Sequence, residues 1–159
     1  MTLDLFLQHL SNGISLGSLY ALIAIGYTMV YGILRLINFA HGDIFMMATY
    51  FAFFGIVTFG IPWFITFPLV LVLTAVLGMG VEAVAYRPLR DAPKISVLIS
   101  AIGASFFLEN LTIVLFGGVP KPFPAPKIFT DVVQVGTVSI QKLTFYIPVV
   151  TLISLLGLV

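Results

Sequence analysis

The polar side chains that could act on a small solute are concentrated in two short stretches. The first is Asn38-Phe-Ala-His41-Gly-Asp43, and the second is Glu109-Asn110. Amide, neutral imidazole and carboxylate groups together offer the hydrogen-bond donors and acceptors that a zwitterionic solute needs during passage. Polar residues inside membrane spans are functional by default. Asn38, His41, Asp43, Glu109 and Asn110 are therefore candidates for the wall of a translocation path.

The same residues also have a structural interpretation. Arg35 and Asp43 bracket the first stretch, as in a tight polar loop at a membrane surface. Asp43 could then cap a following helix by accepting hydrogen bonds from the amides of Phe45 or Met46. Glu109 could form a buried hydrogen bond to a neighbouring helix. Both interpretations stay open at the level of the sequence.

No catalytic, metal or cofactor motif accompanies these residues. His9 and His41 are too far apart in sequence to suggest a zinc site. Gly78-Met-Gly80-Val-Glu-Ala83 fits a dinucleotide-binding pattern but lacks the strand–turn–helix context, and no phosphate-binding loop is present. We predict a protein that is not an enzyme and needs no cofactor. Glycines with small-residue spacing are instead expected to pack helices together: Gly13, Gly17, Gly78 and Gly80.

The overall composition is that of a membrane protein. Of the 159 residues, 60% are hydrophobic and 8% are charged, and the mean hydropathy is +1.18. Ordinary soluble domains carry about 25% charged residues. So few charges cannot cover the surface of a soluble protein, and they exclude a nucleic-acid-binding role. The fold class predicted is an all-α, polytopic transmembrane protein, with residues 1–159 as a single domain.

The distribution of charges divides the chain into about five membrane spans. A spanning helix needs roughly 20 apolar residues. Ile44–Val81 is uncharged throughout and far too long for one crossing, so we place a turn at Gly60-Ile-Pro-Trp63, with the tryptophan at the headgroup level. The predicted spans are Ile14–Leu34, Ile44–Phe59, Phe67–Ala85, Ile95–Phe116 and a fifth that begins near Leu143.

The basic residues of the short loops predict the orientation. Arg35 follows the first span, and Arg87, Arg90 and Lys94 lie between the third and the fourth. These loops share one side of the membrane, which the positive-inside rule assigns to the cytoplasm. The Gly118–Lys142 loop is then external.

The external loop has the composition of extended structure. Alternating prolines at its start favour a polyproline-like strand. Asp131–Ile140 is rich in β-branched residues and contains Gly136-Thr137, which predicts a small β-hairpin on the membrane surface.

Four stretches together resemble the inner-membrane permease of branched-chain amino acid ABC importers. They occur in the order of that family and cover nearly the whole chain. The four stretches are Gly17-Ser-Leu-Tyr-Ala-Leu-Ile-Ala-Ile-Gly26, Asn38-Phe-Ala-His-Gly-Asp43, Ala85-Tyr-Arg-Pro-Leu-Arg90 and Leu98-Ile-Ser-Ala-Ile-Gly-Ala-Ser-Phe-Phe-Leu108.

The resemblance implies a transport subunit of the bacterial inner membrane. Such permeases receive leucine, isoleucine and valine from a periplasmic substrate-binding protein. They pair with a second, homologous permease and with two ATPase subunits, which hydrolyse ATP in place of the permease. Close relatives move urea or short amides, so the exact substrate stays open.

The chain departs from that family in length. Family members are roughly twice as long, and the loop that contacts their ATPase lies after the fifth span. We therefore expect the chain to be incomplete at its C-terminus and to bind no ATPase subunit alone. Two other classes stay open, a truncated membrane scaffold that moves nothing and a secondary transporter, which would need an intramembrane carboxylate such as Glu109.

Overall fold

A computed structural model describes residues 3–35, 37–123, 131–135 and 138–157. This part of the chain is helical apart from one antiparallel hairpin, which confirms the all-α membrane class with a small hairpin loop. The elements are α1 (Leu3–Leu34), α2 (His41–Phe53), α3 (Trp63–Val81), α4 (Lys94–Phe116), β1 (Val132–Val135), β2 (Val138–Gln141) and α5 (Leu143–Leu156).

Within the described residues, four helical segments are long and apolar enough to cross a membrane: Leu5–Gly32, His41–Thr58, Trp63–Leu89 and Lys94–Phe116. They correspond to the first four predicted spans. The first helix begins at Leu3, well before the predicted start at Ile14. Its early polar residues, such as Ser11 and Asn12, do not interrupt the helix, because each disfavours a helix interior by no more than about 0.7 kcal/mol relative to alanine.

The turn between α2 and α3 lies where the sequence predicts it. A π-helical turn, Phe54–Thr58, extends α2, and α3 begins at Trp63. Gly60 has a φ of 64°, a left-handed conformation that glycine adopts without a steric penalty. At Gly55 the two segments approach so closely that an added Cβ would lie 2.7 Å from Cγ2 of Thr66. A glycine is therefore required at that crossing.

The end of α3 changes its winding before the chain turns. Glu82–Tyr86 forms a second π-helical turn, and Arg87–Leu89 forms a 3₁₀ turn. The Arg87 amide donates to the Glu82 carbonyl, five residues earlier. Pro88 has no amide hydrogen to donate, which ends the regular ladder. The helical segment thus continues past Ala85, the predicted end of the third span.

The hairpin and α5 follow in the C-terminal part. Val132 pairs with Gln141 and Val135 with Val138, and the predicted turn at Gly136-Thr137 lies outside the described residues. Helix α5 begins at Leu143, as predicted, and has 14 residues. At about 1.5 Å per residue it is shorter than the roughly 30 Å hydrocarbon core of a bilayer.

The chain divides into two compact units, Met1–Met29 with Ala125–Val159, and Val30–Pro124. In the first unit, the hydroxyl of Thr151 on α5 donates to the Ile147 carbonyl at 2.8 Å and lies 3.2 Å from the Ser18 carbonyl of α1. The second unit contains the cluster of Tyr86, Val97 and Ala101, with Val81 and Leu89 packed against it. All five path candidates belong to this second unit.

Candidate functional site

Residues 37–40 lead into α2 through a turn at Phe39 and Ala40, and Arg35 follows the end of α1. The Arg35 amide donates to the Tyr31 carbonyl at 2.7 Å, and Arg35 has a φ of 53°, which is uncommon for a residue other than glycine. The His41 amide donates to the Asn38 carbonyl at 3.2 Å. Asn38 therefore lies in the turn, and His41 is the half-buried first residue of α2.

Asn38 is buried and hydrogen-bonded to the end of the third span. Its side-chain Oδ1 accepts a 2.6 Å hydrogen bond from the hydroxyl of Tyr86. Tyr86 is itself buried against Val97 and Ala101 of α4. This bond joins two segments 48 residues apart, so it ties the turn before α2 to the second π-helical turn.

Asp43 lies in the first turn of α2 and faces α4. Its carboxylate Oδ2 accepts a hydrogen bond from the hydroxyl of Ser105. The expectation that Asp43 caps α2 is wrong, because the helix already begins at His41 and Ala40 holds the cap position without a side-chain hydrogen bond. The amides of His41 and Ile44 donate to the carbonyls of Asn38 and Ala40, and the Asp43 carboxylate bonds to a neighbouring helix instead. Its charge still complements the positive end of α2.

Three hydroxyl groups of α4 form contacts that sequence analysis missed. Ser100 donates to the Ala85 carbonyl at 2.7 Å, and Ser105 donates to Asp43. Thr112 donates to the Leu108 carbonyl at 2.8 Å and lies 3.1 Å from the sulfur of Met47. Ser105 and Thr112 are seven residues apart, about two helical turns. That spacing was the available signal that they share a face.

Glu109 and Asn110 take no part in these hydrogen bonds within the described residues. Both are exposed, and the Asn110 amide nitrogen donates to the Phe106 carbonyl of its own helix at 2.7 Å. Within the described residues Glu109 forms neither an ion pair nor a side-chain hydrogen bond. Asn110 also lines a cavity of about 510 Å³ with Phe106 and Phe107. The structure therefore does not bring Glu109-Asn110 together with the segment 38–43.

The four glycines expected to pack helices are open in this chain. A Cβ added at any of them would meet nothing within 4 Å among the described residues: Gly13, Gly17, Gly78 and Gly80. Helix packing at these positions stays a prediction, and it would need a surface other than the contacts described here. Gly55, which sequence analysis did not single out, makes the close approach instead.

Sequence analysis also did not identify an aromatic cluster at the far end of α2. The rings of Tyr50 and Phe116 stack with centroids 4.8 Å apart, and Phe54 lies 5.0 Å from Phe116. Phe53 meets Phe54 edge-on at 5.5 Å. We call Tyr50, Phe53, Phe54 and Phe116 the aromatic cluster. Its members come from α2 with its π-helical extension and from the end of α4, at the opposite end of α2 from Asp43.

Metal coordination has no support in the described part of the chain, where no three His, Cys, Asp or Glu side chains come close enough to hold an ion. The polar contacts instead join helices to one another. In this membrane-type helical unit the Asp43 carboxylate is half-buried, Glu109 and Asn110 are exposed on α4, and many large apolar side chains are exposed.

Comparison with known proteins identifies the family. Residues 9–159 match the family described as the permease component of the branched-chain amino acid transport system. The chain belongs to this family. The branched-chain amino acid permease BraD of Pseudomonas aeruginosa is 40% identical over 165 residues, which are 96% of this chain and 53% of that protein. No solved structure gives a significant match to the chain.

Two further relatives match the chain with nearly the same identity and the same coverage. The high-affinity branched-chain amino acid permease LivH of Escherichia coli is 40% identical, and that of Salmonella typhimurium is 39% identical. Each alignment covers 96% of this chain and 53% of the relative. The chain thus spans about half the length of the relatives it matches. These relatives are named as transport permeases and not as enzymes, in agreement with the non-enzymatic prediction.

Proposed function

We propose that the chain forms part of the translocation pathway of an ABC importer for leucine, isoleucine and valine. The observation that carries this proposal is the family match over residues 9–159, together with 40% identity to permeases named for branched-chain amino acids. The part of the chain that the structure describes has four helical segments able to cross a membrane, which supports a multi-pass subunit of the bacterial inner membrane.

The partners follow from the same family membership. The functional assembly would contain a second homologous permease, two ATPase subunits and a periplasmic substrate-binding protein. ATP would be hydrolysed by the ATPase subunits, since the sequence holds no phosphate-binding loop.

The polar residues divide into two roles under this proposal. Asn38 and Asp43 hold the turn and α2 against Tyr86 and Ser105, and so position the helices around the path. Glu109 and Asn110 are exposed on α4 and would face the path or a neighbouring subunit, because a carboxylate facing lipid is disfavoured by about 2.5–3.5 kcal/mol on insertion scales. His41, half-buried at the start of α2, stays a candidate for the path wall.

Uptake by a chimaeric permease tests the function. This chain would replace the matching half of the Escherichia coli relative, in cells that lack their own copy of that relative. We expect saturable uptake of labelled leucine. Unlabelled isoleucine and valine should inhibit this uptake by competition, whereas urea and acetamide should not. Competition by urea or acetamide alone would assign the chain to the amide branch. A correctly inserted chimaera without any uptake would contradict a transport role.

The Glu109→Gln variant of the same chimaera tests the path assignment. We expect reduced leucine uptake with unchanged assembly, because the neutral amide keeps the shape and removes the charge. Asp91→Asn, an exposed loop carboxylate, is the matched control and should transport normally. Normal uptake by Glu109→Gln would remove Glu109 from the path.

A further inference from the structure

A lysine side chain lies over the aromatic cluster at the end of α2. The Nζ atom of Lys121 is 4.8 Å from the centroid of the Phe54 ring and 5.7 Å from that of Phe53. Both distances are within the roughly 6 Å over which a cation is attracted to an aromatic face. The rings therefore hold the ammonium group in place at the surface of the second unit.

The positive charge of Lys121 is not neutralised within the described residues. The ion pairs there join Arg90 to Glu82 and Lys142 to Asp131, and neither includes Lys121. An ammonium group has three N–H donors, and aromatic faces use its charge without supplying a strong acceptor. Lys121 thus presents charge and donors that an anionic group could use.

A cavity of about 300 Å³ adjoins this lysine. Its lining residues are Thr49, Tyr50, Phe53, Pro120, Lys121 and Phe123. The Thr49 hydroxyl donates to the Met46 carbonyl at 2.7 Å, so its oxygen lone pairs stay available as acceptors. Sites for small molecules typically measure about 300–1,000 Å³ and place a few polar groups among apolar ones. The volume suits a ligand at the small end of that range.

We propose that this cavity binds a small aliphatic carboxylate of about the size of leucine. The carboxylate pairs with the ammonium of Lys121, and the aliphatic body lies against the side chains of Tyr50, Phe53 and Phe123. The hydroxyl oxygen of Thr49 can accept a hydrogen bond from the amino group of an amino acid. That the natural ligand is a branched-chain amino acid rests on the proposed function, whereas the carboxylate chemistry rests on Lys121 and the cavity alone.

A purely structural role for Lys121 makes a different prediction. If the cation–π contact only fastens the segment after α4 to the aromatic cluster, then removing the charge alters every ligand equally. If Lys121 pairs with the ligand, removing the charge abolishes the preference for a carboxylate over its amide. The ratio of two affinities therefore separates the two roles.

The test is ligand binding to the full 159-residue chain in lipid nanodiscs, measured by saturation-transfer NMR. The ligands are leucine, leucinamide and 4-methylpentanoate. We expect leucine and 4-methylpentanoate to bind about tenfold or more tightly than leucinamide, because a charge-assisted hydrogen bond is lost with the amide. Lys121→Gln should abolish this preference, and Lys121→Arg should retain it. Lys94→Gln, at the other end of α4, is the control and should behave as the unmodified chain does.

Three results would overturn the proposal. In the first, the unmodified chain binds leucine and leucinamide equally or binds neither. In the second, Lys121→Gln retains the full carboxylate preference. In the third, Lys121→Gln loses affinity for both ligands equally. The chimaeric permease separates this proposal from the proposed function. If the Lys121→Gln chimaera takes up leucine with an unchanged KM, the transport role stands and the cavity has no part in it. A carboxylate preference in the purified chain without uptake by the chimaera would support the binding cavity and contradict the transport role.

Discussion

At the scale of single residues, Asp43 shows how a carboxylate is accommodated in an apolar helix pair. Within the described residues, its carboxylate accepts a hydrogen bond from the hydroxyl of Ser105. We expect Ser105→Ala to lower the free energy of unfolding in mixed micelles by about 1–2 kcal/mol, because the half-buried carboxylate loses its donor. Ser96→Ala, on the same helix without such a contact, is the control. Equal stability of the two variants would show that the hydrogen bond contributes nothing.

Asn38 supports a second prediction at this scale. Tyr86→Phe keeps the ring in the cluster with Val97 and Ala101 but removes the hydroxyl that donates to Asn38. A buried acceptor without its donor destabilises by about 1–3 kcal/mol. The same unfolding measurement should show this loss, and Tyr31→Phe, at an exposed tyrosine, should show none. The proposal of a helix-positioning role for Asn38 fails if the two substitutions have the same effect.

At the scale of secondary-structure elements, the crossing of α2 and α3 depends on Gly55. An alanine Cβ there would lie 2.7 Å from Cγ2 of Thr66, a β-branched side chain that has little rotamer freedom in a helix. We expect Gly55→Ala to destabilise the protein by about 1–3 kcal/mol, as overpacking does. Adding Thr66→Ser removes the clashing methyl group and should restore stability, whereas Gly80→Ala, in open space, should be tolerated. A destabilisation that Thr66→Ser does not reduce would refute the steric explanation.

The hairpin has an electrostatic contact at its base. The Lys142 ammonium lies 2.8 Å from Oδ2 of Asp131, and this hydrogen bond and the neighbouring charge raise the pKa of Lys142 above 10.5. The pair therefore stabilises the hairpin from neutral pH to about pH 10.5 and loses that effect as the pH rises through the raised pKa of Lys142. We expect Asp131→Asn to lower the pKa of Lys142 towards its usual value in an NMR titration. High salt should reduce the shift because the pair is exposed. An unchanged pKa in Asp131→Asn would contradict this assignment.

The sequence predicts the elements better than their contacts. The turn at Gly60, the helix at residues 94–116 and the start of α5 follow from charge gaps, prolines and glycines, which act locally. The partners of Asp43 and Asn38 could not be derived in this way. They depend on how α2 and α4 are rotated about their axes, and an evenly apolar helix leaves that rotation undefined. Ser105 and Thr112 are two helical turns apart. Their spacing indicates a contact face only when the position of Asp43 next to Ser105 is already known.

At the scale of the whole molecule, the membrane orientation is the open question, and the described helices make it accessible to experiment. The exposed loop around Asp91 and the exposed Val119 follow the third and the fourth membrane-spanning segments, so one crossing separates them. The Arg-rich loop is predicted to be cytoplasmic because basic residues are retained there. Lys121 and its cavity would then open to the outside, where a carboxylate ligand arrives.

Single-cysteine labelling tests this orientation directly, because the sequence contains no cysteine. We expect Val119→Cys to react with a membrane-impermeant maleimide in intact spheroplasts. Asp91→Cys should react only after the membrane is permeabilised, since one crossing of the bilayer places it on the opposite face. Both variants should react fully in detergent, which controls for local access to the thiol. Labelling of Asp91→Cys in intact spheroplasts would reverse the orientation and place the Lys121 cavity on the cytoplasmic side, where it would meet substrate at its release.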